Sequence, residues 1–119
     1  MQIDGYFNAQ GEPVIRLDLG TASTDVLVDT GFDGGLTLPS HVANQLDLTY
    51  VGLEGFTSAF EETIVAKTYS IEIDWLGKRV RVPVIVNPRI NQALLGSHML
   101  RDCRLTIDYG KRAVMIEAS

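Results

Sequence analysis

The sequence predicts an all-β domain carrying two short helices. Most of the chain divides into short runs rich in β-branched and aromatic residues, and several alternate apolar with polar. Tyr69-Ser70-Ile71-Glu72-Ile73-Asp74 alternates cleanly, and Val80, Val82, Val84 and Val86 stand against Arg79, Arg81, Pro83 and Ile85. Turn chemistry built on Gly, Asn and Asp separates the runs. Helical spacing occurs only at 41–46 and 97–102. A chain of 119 residues is expected to form one domain spanning 1–119.

Composition narrows the partners. Hydrophobic residues make up 45% and charged residues 21%, ordinary for a globular protein with a modest core. The net charge is −5 and no basic stripe is present to neutralise phosphates, so a nucleic-acid partner is not expected. The lone Cys103 cannot form an internal disulfide and reads as a small buried strand residue. Residues 1–6 have neither a basic nor an apolar leader segment, and no apolar run approaches the ~20 residues that span a bilayer. The expectation is a cytoplasmic protein without a membrane partner.

Taken in order, 3–8 and 14–19 read as strands joined through Asn8-Ala9-Gln10-Gly11 as a hairpin. Residues 20–24 turn the chain into a third strand ending at Val28. Leu36, Thr37 and Leu38 resume strand pattern, and Pro39 closes it. Ser40 is an N-cap candidate for a helix whose Val42, Ala43 and Leu46 share one face. Residues 51–60 and 63–75 form a long hairpin with its tip at 59–62. Leu76-Gly77-Lys78 turns into a strand at 79–86, which Asn87-Pro88-Arg89 breaks. Ala93-Leu94-Leu95-Gly96 is a short apolar run, followed by a helix with Ser97 as N-cap. Leu105, Ile107 and Tyr109 alternate with Arg104, Thr106 and Asp108, and Gly110-Lys111 turns into a last strand at 113–117. A weak two-fold echo runs through this order. Twice an apolar strand ends on a glycine loop followed by a short helix beginning Ser-His, at Ser40-His41 and Ser97-His98.

The chemistry concentrates in 26–39. Val26-Leu27-Val28 is a core-strand pattern that ends on Asp29, then Thr30, Gly31, Phe32, Asp33, Gly34 and Gly35. A carboxylate at the end of a buried strand needs compensation. One reading is a turn in which Asp29 and Thr30 bond local backbone, and for an isolated Asp-Thr-Gly that is the favourite. A calcium loop fails, because Gly31 and Ser40 stand where oxygen ligands are required. A phosphate-cradling loop fails on glycine spacing, the absent lysine and two repelling carboxylates. The remaining reading is a catalytic carboxylate. Two carboxylates held together can share one proton, so one deprotonates water while the other is protonated. The chain holds one such loop, and an isologous homodimer would supply the second. Gly31 would let a substrate backbone come close.

The run Val26-Leu27-Val28-Asp29-Thr30-Gly31-Phe32-Asp33 resembles the active-site motif of retropepsins, the retroviral-type aspartic proteases with bacterial and eukaryotic single-domain relatives. Residues 93–109 resemble that family's second signature: two apolar residues and a glycine, a short helix, then an alternating strand. The resemblance implies a retropepsin-like acid-protease β-barrel with two short helices and a flap hairpin at about 51–73. Its half-site would be completed by homodimerisation. It implies an aspartic endopeptidase acting on peptide or protein substrates, with no metal or organic cofactor. Asp29 would be the catalytic carboxylate of each subunit, Thr30 the interlocking contact, and Gly31 a backbone donor or acceptor for substrate. Phe32, Asp33, Ala59, Phe60 and Leu94 would line the peptide groove. The last strand, 113–117, would help form the dimer interface.

Three positions depart from retroviral members. Ser97 stands where an arginine usually pairs with the aspartate matching Asp33, and Arg101 is the nearest arginine in sequence. The hairpin tip carries Phe60-Glu61-Glu62 instead of glycines, and Phe32 replaces a small residue. His41 and His98 read as helix-start residues, and Trp75, beside a turn, as edge packing. Glu54, Glu61, Glu62, Asp18, Asp74 and Asp108 read as solvated positions. The alternatives to an enzyme are an inactive retropepsin-fold dimer serving as a peptide-binding or scaffold module, and a small β-barrel in which Asp29 only ties a turn.

Overall fold

The computed structural model describes residues 1–57 and 61–119. Among the described residues ten strands run β1 Gln2–Phe7, β2 Pro13–Asp18, β3 Ser23–Val28, β4 Leu36–Leu38, β5 Thr49–Thr57, β6 Thr63–Trp75, β7 Lys78–Val86, β8 Leu94–Leu95, β9 Cys103–Asp108 and β10 Ala113–Ala118. One α-turn, α1 (Ser40–Ala43), follows β4, and one 3₁₀ turn (Ser97–Leu100) follows β8. The all-β reading therefore holds.

Local chemistry sets the turns. Asn8 Oδ1 accepts the backbone N–H groups of Gln10 and Glu12 at 3.0 and 2.9 Å, and closes the β1–β2 hairpin. Leu76 and Gly77 both have positive φ, 51° and 84°, so the β6–β7 turn is a two-residue turn of the primed kind. Lys78 is already in the ladder opposite Trp75, one residue earlier than the sequence implied.

The strands form one sheet in the order β5-β6-β7-β4-β8-β3-β2-β1-β10-β9. It wraps a single core built from both halves of the chain: Ile15, Leu17, Val26, Leu36, Leu38, Ile73, Val82, Val84, Leu95 and Ile116. Each such side chain contributes roughly 1.5–3 kcal/mol by leaving water. Trp75 lies in this core rather than at an edge, only 7% exposed. Nearness to a turn does not say which face of the strand a ring takes. Cys103 is half-buried against the same core. Tyr109 is the reverse: β9 ends at Asp108, and the tyrosine is exposed, its ring edge-to-face with Phe7 at 5.2 Å between centroids.

Both helices are shorter than their sequence patterns, and neither serine is the cap. Pro39 precedes α1 and Gly96 precedes the 3₁₀ turn, each with extended backbone and no side-chain cap bond. Each serine is instead the first residue of its turn. At the 3₁₀ turn the orphan donors are met by backbone from elsewhere. Ser97 N–H donates to Phe32 O at 2.7 Å and His98 N–H to Gly34 O at 3.2 Å.

Candidate active site

β8 is the strand that builds the site. It pairs parallel with β3 (Val28 beside Leu95) and antiparallel with β4 (Leu36 beside Leu95). The connection from β3 to β4, residues 29–35, must therefore loop over the end of β8, against Gly96. Asp29 N–H extends the β3–β8 ladder by one bond, to Leu95 O at 2.9 Å, and Gly96 N–H donates to Gly35 O at 2.8 Å. Below the loop, buried Thr37 ties two chain segments together. Its hydroxyl donates to Gln92 O at 3.2 Å and accepts Leu94 N–H at 3.0 Å.

The glycines of this region answer to crowding, since none of 31, 34, 35 and 96 has positive φ. A methyl group at Gly96 would collide with the carbonyl oxygens of Gly34 and Phe32 and with the Phe32 ring. At Gly35 it would meet Pro83 O at 2.6 Å. At Gly31 it would meet only Asp29 Oδ1, at an ordinary 3.4 Å. Nothing among the described residues requires glycine at 31.

Asp29 is half-buried at the point where β3 ends. Its Oδ1 accepts Gly31 N–H at 3.0 Å, and its carbonyl accepts Phe32 N–H at 3.2 Å. The local-turn reading of Asp29 is thus realised, but it occupies one carboxylate oxygen only. Thr30, Gly31 and Asp33 are exposed, and among the described residues the Thr30 hydroxyl has no partner. Among the described residues, the surface ion pairs Arg16–Asp25, Arg79–Asp74, Arg81–Glu72 and Arg104–Glu117 involve neither Asp29 nor Asp33.

An open groove of about 540 Å³ runs past this loop. Gly31, Phe32, Asp33 and Thr37 form one side. Gly55, Ala66 and Ile85 of the hairpin and β7, with Asn87, Arg89 and Ile90 of the β7–β8 loop, form the rest. A cavity of about 620 Å³ lies on the other face of β6, under Val65, Lys67 and Tyr69, and its lining includes no carboxylate. Size alone would choose the cavity away from the Asp29 loop.

Of the residues expected from sequence, Gly31, Phe32 and Asp33 line the groove; Asp29 and Thr30 directly precede them in the chain and are not among the lining residues. Leu94 is half-buried in the β8 ladder and is not among the lining residues. Ala59 and Phe60 lie outside the described residues. The arginine facing the groove with Asp33 is Arg89, whereas Arg101 ends the 3₁₀ turn. Sequence reasoning missed Ala66, Ile85, Asn87 and Arg89. Their signal is the pairing of Lys67 with Val86 and of Thr68 with Ile85, visible only once register is known.

Asn87 links two walls of this groove. Its Nδ2 donates to Val65 O at 3.1 Å, beyond the last β6–β7 pair, and its Oδ1 accepts Arg89 N–H at 2.8 Å.

A scan of protein-family models and a search of curated proteins find no match. Solved structures do match. A retropepsin-like aspartic protease from Rickettsia conorii superposes with TM-score 0.68 and 21% identity, over 98% of this chain and 90% of that one. EIAV protease in complex with the inhibitor HBY-793 gives TM-score 0.65 and 19% identity, over 81% of this chain and 91% of that one. The foamy viral protease-reverse transcriptase with an RNA/DNA hybrid gives 0.54 and 13%, over 85% of this chain but 11% of that one. The strand order, the loop over β8 and these likenesses together establish that the chain has the retropepsin-like all-β fold.

Proposed function

We propose that this chain is an aspartic endopeptidase that works as a homodimer, with one Asp29 from each copy forming the catalytic pair. The observation that carries the reading is the state of residues 29–31. Asp29 commits one oxygen to the Gly31 N–H, the Thr30 hydroxyl is exposed without a partner among the described residues, and none of those residues crowds a side chain out of position 31. All three are explained by something arriving from outside: a second Thr30 loop, and a peptide backbone along Gly31.

In the chemistry, one Asp29 carboxylate takes a proton from water as its oxygen bonds to the scissile carbonyl carbon. The other, protonated, gives its proton to the carbonyl oxygen. The tetrahedral intermediate collapses as the first carboxyl passes the proton it took from water to the leaving nitrogen, the C–N bond breaks and the second carboxylate takes a proton from a hydroxyl of the intermediate, so the pair holds one proton throughout. Phe32 and Ile85 offer apolar surface to side chains, and Asp33 and Arg89 offer charge at the groove's rim.

Asp29→Asn tests this. Cleavage of an unstructured protein substrate is expected to fall by about 10²–10⁴-fold, with the dimer kept, and a statine-type peptide should inhibit the wild type. Unchanged cleavage by the variant would refute the assignment. Peptide binding by a wild type that never cleaves would identify the scaffold alternative.

A further inference from the structure

The β5–β6 hairpin has two faces, and the one turned away from the groove is apolar yet exposed. Leu53 pairs with Lys67, and Val65 and Tyr69 stand two residues to either side of Lys67 on the same face. Leu53 and Val65 are 63% and 59% exposed. Tyr50, also exposed, meets Tyr69 edge-on with 5.4 Å between ring centroids. A cluster of exposed large apolar side chains on one strand face marks a surface that binds something. Here it forms part of the lining of the cavity of about 620 Å³. Leu46, Leu48 and Val86 line the same cavity and pack on the core. Lys67 is the one charged side chain in the lining, and among the described residues it joins no ion pair.

We propose that this cavity binds a small amphipathic anion, an apolar chain or ring that carries a single carboxylate. The apolar body displaces water from Leu46, Leu53 and Val65, and the carboxylate pairs with the Lys67 ammonium. The volume lies within the range of small-molecule sites, about 300–1,000 Å³. Charge complementarity selects the head group. A neutral hydrocarbon would cover the ammonium without pairing it, and an amphipathic cation would be repelled. The site is separate from the groove: its lining contains none of residues 29–33, and Asn87 is the residue common to both. Binding therefore does not depend on whether the chain cleaves peptides.

Decanoate, titrated below its micelle concentration, is the probe. Calorimetry should show saturable binding, with decyltrimethylammonium binding at least about tenfold more weakly. Lys67→Glu and Leu53→Ser, both at exposed positions, should each weaken decanoate by about tenfold. Circular dichroism checks that each variant is folded; Lys67→Gln or Val65→Ser replaces one that is not. Amide shifts in the NMR spectrum should move at Leu46, Leu53, Val65 and Lys67. No saturable binding, wild-type affinity in either folded variant, equal affinity for the cation, or shifts confined to the groove around Gly31–Asp33 would overturn the assignment. So would the same shifts on concentrating the protein without decanoate, which would give this face to a second copy of the chain.

Discussion

The chain runs one plan twice: a strand ends, glycine follows, and a single helical turn begins Ser-His, directly after β8 but with β4 intervening after β3. The two copies have diverged in what they do with their polar groups. The second sends its N–H groups inward, from Gly96, Ser97 and His98 to the carbonyls of Gly35, Phe32 and Gly34. The first, so held, turns Thr30, Gly31 and Asp33 outward. One loop is a buttress, and the other is displayed on it. The same residue type records the difference, because Gly96 has no room for a methyl group and Gly31 has room.

The contrast can be broken most forcefully at the glycines. Gly96→Ala is expected to cost about 2 kcal/mol or more, since backbone carbonyls on the facing loop cannot step aside as a side-chain end can. A urea midpoint well below wild type with an unchanged slope is the expected readout. Gly31→Ala should stay within about 0.5 kcal/mol in the same measurement, while peptide cleavage drops. Equal stability costs at the two positions would erase the distinction between buttress and display. Thr37→Val sharpens it next. The variant leaves Leu94 N–H and Gln92 O unpaired below the loop and should cost about 1–3 kcal/mol, read from thermal unfolding. Smallest are Ser40→Ala and Ser97→Ala. Neither serine makes a cap bond, so each should change stability by less than about 0.5 kcal/mol. A larger loss at either would mean that its hydroxyl does cap its turn in solution.

Much of this was legible in the chain itself, for identifiable reasons. Strand periodicity and turn residues located all ten strands to within a few residues, because Asn8, Gly77 and the alternation of 69–74 are local signals. The Asp29 loop and the Leu94-Leu95-Gly96 run were visible as motifs. What was not legible was settled by register. Arg89 and Ala66 reach the groove because β6 and β7 pair in one alignment out of many. The serine caps failed because cap and first turn differ by one residue, and the N–H groups were met by backbone carbonyls, those of the facing loop at the 3₁₀ turn and that of Pro39 at α1. Trp75 failed because burial of a ring depends on the far side of the sheet.

Asn87 carries one more consequence. The β6–β7 ladder stops at Lys67↔Val86, while the β5–β6 hairpin continues to Thr57↔Thr63. The next rung between hairpin and body is a side-chain amide, from Asn87 to Val65. A rung of that kind can open by a rotamer change, without unzipping a strand. The same side chain accepts the backbone N–H of Arg89, so a single amide ties the hairpin at Val65 to the loop that lines the groove.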